Sequence, residues 1–536
     1  MASRVAAMAA DPSAMPPAGV GPADEPQETP RYAVQATESH GLGVVTTTAL
    51  APMAVIAEDD PIAVFLEPSQ WALRCALCMA RFADIHPGGA ARPCPGPCNG
   101  WLSYCSDDCR AADAPIHRYE CHGYDDATRP RISSFFGAMM RCVIASAVDA
   151  DRRNRIDQLW AGEPSQALTE LVQTHAPLIR RFAAATDLHQ GVTAPPGTAA
   201  APLPGGTGTG TGTGTGLHDR ALMARVHQCA RVLQLNGQAL TTLLGPPHAA
   251  GLYALGSRIN HACRPSACCV FDGPRLRILA ARSLVAGEAV TYPYADPALP
   301  APQRTAYLLE HYQFFCECEA CLAASSQSET ESADTWRCHV DACQRVWRRP
   351  LHVLAAMPTR MADARPAGPA AVCCEAGHAQ PPEWIHVVAD FARQRMADAR
   401  SDGDAGADAG TDAESPSDHD IVASLQAARH CIGTAASSRN VLGIVLARRW
   451  LRTLPRRITH RTALADERPL AEAAARWLAL LLGDFHPLAR LASLVEALAT
   501  AQPPAPAGRA PDFEDILAVL RELHGEPWSA WLSAIL

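Results

Sequence analysis

The sequence predicts an α+β chain, in which a β-rich unit is interrupted by a cysteine-rich module and by helices and is followed by an all-α final segment. Three observations carry this reading. Short Val- and Ile-rich runs at 43–66 and 268–294, punctuated by turn residues such as Asp272-Gly273-Pro274, have the pattern of strands in a mixed sheet. Cysteine and histidine stand in close pairs between positions 75 and 121. Apolar residues recur at helical spacing over 131–185 and 218–245, and that spacing dominates from 420 onward, as in 469–500 and 512–536.

A chain of 536 residues exceeds what one core organises, since cores stop growing near roughly 250 to 300 residues, so two to four units are expected. With 48% hydrophobic and 19% charged residues, most of it can bury a core. The exceptions are the Ala/Pro/Gly-rich tail 1–30, the segment 191–216 with its repeated Thr-Gly, and the acidic stretch 399–418, which read as tail, loop and linker. The tail lacks the apolar core and cleavage pattern of a signal peptide. No uncharged apolar run reaches the about 18 residues a bilayer span needs, so a soluble, intracellular protein without membrane contact is expected. The net charge of -9 argues against a broadly basic nucleic-acid surface and is compatible with basic protein substrates. In a reducing compartment, the 20 cysteines are metal ligands more often than disulfides, and their spacing decides between the two.

Cys75 and Cys78 enclose two residues; Cys94 and Cys98, Cys105 and Cys109, and His117 and Cys121 each enclose three. A pair this close can chelate one ion from a single turn, and zinc takes four S or N ligands in a tetrahedron, so two ions would close the module. Few apolar residues lie between 75 and 121, so metal binding would supply much of its folding free energy. The stretch resembles the MYND finger, in particular Tyr104-Cys105-Ser106, Cys109 and the closing His117-Arg118-Tyr119-Glu120-Cys121. The resemblance implies interleaved pairs: one zinc on Cys75, Cys78, Cys105 and Cys109, a second on Cys94, Cys98, His117 and Cys121. Ala114 stands where that family usually has Trp.

From Gly251 the chain reads through Asn260-His261-Ala-Cys263-Arg-Pro265, an apolar strand, Gly287-Glu288, Tyr294 and Cys316-Glu-Cys318-Glu-Ala-Cys321. This order resembles the SET domain, and with a MYND insertion it resembles the SMYD (SET and MYND domain) family of protein-lysine methyltransferases over most of 31–322. Methyl transfer from S-adenosylmethionine to an amine is an in-line displacement, so the protein chiefly aligns the reactants and keeps the amine neutral. An aromatic channel serves both ends: desolvation lowers a lysine pKa, and ring faces stabilise cationic donor and amine. Tyr294, Tyr312 and Phe314 are available for it.

The resemblance implies that Tyr294 orients the amine and the transferring methyl group, with Tyr312 beside it and Phe314 near the cofactor. It further implies cofactor contacts from Gly41, Gly43, Asn236, Asn260 and His261. For Asn236 a helix-terminal cap is an equally available role, and Gly41-Leu42-Gly43 also suits an ordinary hairpin turn. Cys316, Cys318 and Cys321 offer three ligands within six residues, and Cys263 is the natural fourth of a third zinc site. Cys268 and Cys269 read as buried strand residues. Ser266, Ala289 and Leu42 depart from the residues common in the family. Pro293, directly before Tyr294, removes a backbone donor and restricts its neighbour, so local strand geometry is expected to differ.

Beyond the third site, Cys338, Cys343, Cys373 or Cys374, and His378 suit either a further zinc or free cysteines. Residues 482–487 and 523–525 sparsely resemble the tetratricopeptide-like helical domain of SMYD proteins, and His486 and His524 there read as structural. The expected organisation is a tail (1–30), the SET N-terminal part (31–74), the MYND-type finger (75–121), a helical SET insertion with the Thr-Gly loop at 191–216 (122–250), the SET core (251–296), the post-SET zinc segment (297–322), a variable region (323–419) and the helical domain (420–536). The function implied is transfer of a methyl group from S-adenosylmethionine to a lysine of a histone or non-histone protein. The implied cofactors are S-adenosylmethionine and three zinc ions, and the implied partners are peptides at the finger or helical domain. A monomer in cytoplasm and nucleus is expected. The alternative is a weak or inactive SET/MYND scaffold in transcriptional regulation; direct DNA contact is disfavoured by the acidic balance.

Overall fold

A computed structural model describes mainly residues 30–37, 41–85, 91–125, 132–196, 214–241, 247–297 and 301–326, with parts of 335–348 and 373–380, the helix Arg468–Leu482 and a few isolated positions. The tail up to 29, most of the Thr-Gly loop, the acidic linker 399–418 and nearly all of 420–536, including His486 and His524, lie outside the described residues. The tetratricopeptide-like character expected there is therefore outside them too.

The chain opens with β1 (Tyr32–Thr37) paired antiparallel to β2 (Gly41–Thr46), then β3 (Val55–Asp59) and β4 (Ala63–Leu66). All four residues of β4 are buried, because the strand pairs with the strand Pro247–Leu252 and packs against the apolar helix Ser134–Val148. Short α1 (Phe82–Ile85), β5 (Arg92–Pro93), β6 (Ser103–Tyr104) and α2 (Asp107–Gly123) build the cysteine-rich module. Ser106 caps α2 by accepting from the Cys109 N–H at 3.1 Å, so the capping residue also fixes the backbone of a candidate ligand.

Four helices follow: α3 (Ser134–Val148), α4 (Ala150–Asp157), α5 (Gln166–Thr186) and α6 (Leu188–Gly191). Apolar on every face from Phe136 to Ala145 apart from Arg141, α3 sits at the centre of a core shared with α5 and α7 (Gly214–Asn236), as a helix without a polar face must. Helical spacing predicted this element through 245, but the helix stops at Asn236 and β7 (Gly237–Thr241) begins. Gly237 packs so tightly that a Cβ there would lie 2.5 Å from the Leu233 carbonyl, and the chain from 237 satisfies its backbone by pairing with β8 (Pro247–Leu252) instead. Residues 237–241 are thus strand where helical spacing was read, because ladder pairing outweighs a weak local periodicity.

The remaining strands are β9 (Asn260–His261), β10 (Ala267–Asp272), β11 (Arg275–Ala280) and β12 (Ala289–Tyr292). Asp272-Gly273-Pro274 makes the β10–β11 turn expected of it, with Gly273 at φ +59. Among the described residues, three sheets of three or four strands result, in orders β1-β2-β12-β9, β10-β11-β3 and β4-β8-β7, beside the two-stranded pair β5-β6. Val44, Ile56, Tyr253, Ile259, Leu276, Ile278 and Val290 join them in a second core. Cys268 is buried in β10, as a strand residue was expected to be. Then come α8 (Ala301–Tyr312) and α9 (Glu319–Ser326), and β13 (Thr335–Arg337) pairs with β14 (Val346–Arg348). In the helix Arg468–Leu482, Leu470, Ala474 and Leu478 are buried at intervals of four, in keeping with the spacing read from the sequence. The described chain is a mixed α/β structure, and no helix in it is long and apolar enough to cross a membrane.

Candidate active site and metal centres

The ligand pairs of the cysteine-rich module come together in two interleaved groups. Cys75, Cys78, Cys105 and Cys109 form one, and Cys94, Cys98, His117 and Cys121 the other, with all donor atoms of a group within 4.8 Å of each other. A tetrahedral zinc with bonds of about 2.3 Å to sulfur and about 2.0 Å to nitrogen separates its ligand atoms by roughly 3.6 to 3.8 Å. Observed separations are 3.5 Å for Cys78–Cys105 and Cys105–Cys109, 3.8 Å for Cys94–Cys121 and 3.6 Å from Cys98 Sγ to His117 Nε2. The donor sets and spacing suit zinc.

Around the second group lies a buried charge cluster that the sequence did not announce. Glu120 Oε2 stands 3.4 Å from His117 Nδ1, on the far side of the ring from Cys98. Arg141 of α3 donates through Nε and Nη2 to the two Glu120 oxygens at 2.7 Å, to Asp113 at 3.2 and 3.3 Å, and to the Val64 carbonyl at 3.0 Å. Tyr104 OH donates to Asp113 at 2.9 Å. Burial pushes the Glu120 carboxyl up, but Arg141 and His117 beside it hold it down at about 2. The cluster fixes the imidazole so that Nε2 faces the sulfurs, as a carboxylate behind a metal-bound histidine does.

The third group unites Cys263, at the end of β9, with Cys316, Cys318 and Cys321. Cys263 Sγ lies 3.5 Å from Cys321 Sγ and 4.0 Å from Cys316 Sγ. Arg304 of α8, only 8% exposed, neighbours these thiols. Burial works to lower its pKa, while Cys263 and Cys321 raise it. Four thiolates on one zinc carry a net charge of about -2, and a guanidinium beside them offsets part of that.

His261 connects this metal group to Tyr294. The Tyr294 N–H donates to His261 Nδ1 at 2.8 Å, which in the neutral ring puts the proton on Nε2, 3.3 Å from Cys263 Sγ. Both ring nitrogens are thus engaged inside the protein. Pro293 explains why β12 ends at Tyr292: it cannot donate to the ladder, and the next N–H turns to the histidine instead.

Tyr294 is packed among aromatic rings. Ring centroids lie 4.7 Å from Tyr312, 5.0 Å from Tyr292, 5.4 Å from His261 and 6.2 Å from Phe314. Its hydroxyl donates to the Ile259 carbonyl at 2.8 Å. Burial, and secondarily Tyr312, pushes its pKa well above the ordinary tyrosine value, and burial raises Tyr312 to about 12. Both phenols are therefore protonated at neutral pH. Tyr292, whose oxygen accepts from Gln238 Nε2 at 3.4 Å, was not singled out from the sequence. Its place two residues before Tyr294 was the available signal; its packing depends on β9 lying parallel to β12.

Of the expected cofactor residues, Gly41, Gly43 and Asn260 are neighbours. Asn260 Nδ2 donates to the Leu42 carbonyl at 3.3 Å, and a Cβ on Gly43 would lie 2.9 Å from Asn260 Nδ2 and 2.6 Å from Thr37 Cγ2. Gly41 has φ +71 with open space where a Cβ would point. Phe314 lies 6.0 Å from the His261 ring. Asn236 spends Nδ2 on the carbonyls of Val232 and Trp160, each at 2.8 Å, which is the cap of a helix end. Gly41 and Leu42 of this turn are exposed, while Gly43 is buried against Asn260.

No family model matches the chain. Among curated proteins, it is 34% identical over 84 residues to histone-lysine N-methyltransferase SMYD3 of Mus musculus, covering 16% of this chain and 20% of that one. It is 35% identical over 86 residues to a SET and MYND domain-containing protein of Dictyostelium discoideum, covering 16% and 25%. It is 23% identical over 277 residues to SET domain-containing protein 14 of Caenorhabditis elegans, covering 51% and 56%. The chain thus spans about a fifth of the mouse relative and just over half of the nematode one. These matches agree with the likeness to SET and MYND domain proteins read from the motifs.

Proposed function

We propose that this chain, which belongs with the SET and MYND domain proteins, transfers a methyl group from S-adenosylmethionine to a lysine side chain of a histone or non-histone protein. The carrying observation is a half-buried Tyr294 set among Tyr292, Tyr312, Phe314 and His261, and tied through His261 to a four-cysteine group with metal-ligand spacing. S-adenosylmethionine, when bound, supplies a methyl carbon on a sulfonium leaving group. The chain's own residues do the rest.

An amine entering the aromatic cluster is desolvated, which lowers its pKa and favours the neutral nucleophile. The Tyr294 hydroxyl, whose O–H donates a hydrogen bond to the Ile259 carbonyl, keeps oxygen lone pairs to accept an amine N–H and so aims the nitrogen lone pair. Tyr294 and the rings around it would hold the amine in line with the methyl group that S-adenosylmethionine would supply, its sulfur leaving with the electron pair, and the proton of the methylated ammonium would pass to water. Ring faces stabilise the cationic group through this displacement. The protein acts by alignment and desolvation, with no residue forming a covalent bond. Peptide partners at the finger or helical segment, a monomeric state and residence in cytoplasm and nucleus belong to the same proposal.

The test is incorporation of labelled methyl from S-adenosylmethionine into histones and cell extract by zinc-replete protein. Loss of one oriented hydrogen bond in Tyr294→Phe should lower the rate by about 100- to 1000-fold with cofactor affinity unchanged. Absence of incorporation by the wild type, together with no cofactor binding in calorimetry, would replace this reading with the scaffold.

A further inference from the structure

Beyond the three metal groups lies a fourth set of donors. Cys338 and Cys343 flank the turn between β13 and β14, whose pairing sets Trp336 opposite Trp347. The turn folds back through a Cys343 N–H to Val340 carbonyl bond of 2.9 Å. About thirty residues later, Cys374 and His378 form a second tight turn. The Cys374 N–H donates to the His378 carbonyl at 3.0 Å and the Gly377 N–H to the Cys374 carbonyl at 2.8 Å, with Gly377 at φ +83. Its left-handed backbone is what lets the turn close in so few residues.

The two turns meet at their ligand atoms, all within 4.8 Å of each other. His378 Nδ1 lies 3.6 Å from both Cys338 Sγ and Cys374 Sγ, and Cys343 Sγ lies 3.9 Å from Cys374 Sγ. A tetrahedral zinc requires about 3.6 Å between sulfur and nitrogen and about 3.8 Å between sulfurs. A disulfide would require about 2.0 Å, and these cysteines are free thiols.

The surroundings point the same way. Cys338, Cys343 and Cys374 are 1%, 8% and 5% exposed, while neighbouring Cys373 is exposed and turned away. Cys338 Sγ accepts from both the Val340 N–H and Gln380 Nε2, each at 3.5 Å. Two donors on one sulfur suit a metal-bound thiolate, and a neutral thiol has little use for them. The two turns stand about thirty residues apart in the chain, so an ion at this point would join them into one unit.

We propose that Cys338, Cys343, Cys374 and His378 bind a structural zinc ion of the three-thiolate, one-imidazole type. Because all four positions are filled by protein, the ion has no open coordination site and takes no part in chemistry. The proposal does not depend on methyl transfer.

The test is zinc content of the full-length chain by mass spectrometry after gel filtration. Four ions per chain are expected for the wild type and for Cys373→Ser, and three for the double variant Cys343→Ala/Cys374→Ala. Equal content in wild type and double variant would overturn the proposal. Should the double variant not fold, cadmium-113 resonance on the substituted wild type still decides. Two signals of the three-sulfur, one-nitrogen type are expected, one of them moving to the four-sulfur range in His378→Cys. A single such signal in the wild type, or no movement in the variant, would refute it.

Discussion

Arg141→Leu removes the guanidinium that bridges two buried carboxylates and is the sharpest perturbation of the finger's attachment. Arg141 is 4% exposed and makes five hydrogen bonds, joining α3 to Glu120 and Asp113 of α2 and to β4 through Val64. Leucine fills part of the volume but leaves Glu120, fully buried, and Asp113, 3% exposed, without the guanidinium they share, Glu120 retaining only His117. Breaking a buried ion pair from one side costs about 3 to 5 kcal/mol, because the remaining charge is stranded in low dielectric. With two carboxylates stranded, the upper end of that range is expected at pH 7.5. Removing the charges as well, in Arg141→Leu/Glu120→Gln/Asp113→Asn, should recover more than half of the loss, since the penalty lies in stranded charge and the neutral groups keep hydrogen-bonding capacity. Urea denaturation at fixed zinc concentration measures both. A cost below about 1 kcal/mol for the single variant, or a triple variant as unstable as the single one, would refute the account.

Further outcomes follow from other parts of the structure. Gly43→Ala forces a Cβ to within 2.9 Å of Asn260 Nδ2 and 2.6 Å of Thr37 Cγ2; overpacking of this kind costs about 1 to 3 kcal/mol, and if the turn holds the cofactor, calorimetry with S-adenosylhomocysteine should show at least about tenfold weaker binding. His248 is buried, and burial first, then Arg74, lowers its pKa to about 4 from 6.5. A depressed folded value means the stability held by the neutral ring is full above pH 6.5 and is lost as pH falls toward 4. Between pH 8 and pH 5.5 the stability difference between wild type and His248→Gln should therefore shrink by about 1 kcal/mol, measured by urea denaturation; a pH-independent difference would contradict the assignment. Glu120→Gln, which loosens the support behind His117, should weaken zinc at the second group by about 10- to 100-fold in competition with a chromogenic chelator. Zinc removal by a strong chelator should alter tryptophan fluorescence, because Trp101 packs 6.1 Å from the His117 ring and 4.8 Å from Trp71; an unchanged spectrum with all zinc removed would show that the module stands without its ions.

The ligand pairs could be read from the sequence because a chelating pair is a local object: Cys75 and Cys78, or Cys316 and Cys318, reach one ion from a single turn whatever the rest of the chain does. The strand runs and the Asp272-Gly273-Pro274 turn were legible for the same reason, since alternation and turn chemistry act over a few residues. What distance in the chain hides, only the tertiary structure decided. Helical periodicity past Asn236 yielded to pairing of 237–241 with β8, a partner that local pattern does not contain. Arg141, Arg304, Tyr292 and Gln238 carry no motif, because each takes its role from groups tens of residues away: Arg141 from Glu120 and Asp113, Arg304 from Cys263, Tyr292 and Gln238 from each other. The choice of Cys374 over Cys373 was open in the sequence and is fixed by which thiol the turn to His378 directs inward. Spacing along the chain determined which ligand pairs this protein carries; the folding of distant segments onto one another decided which side chains meet and support them, because burial and charge pairing are properties of neighbours in space.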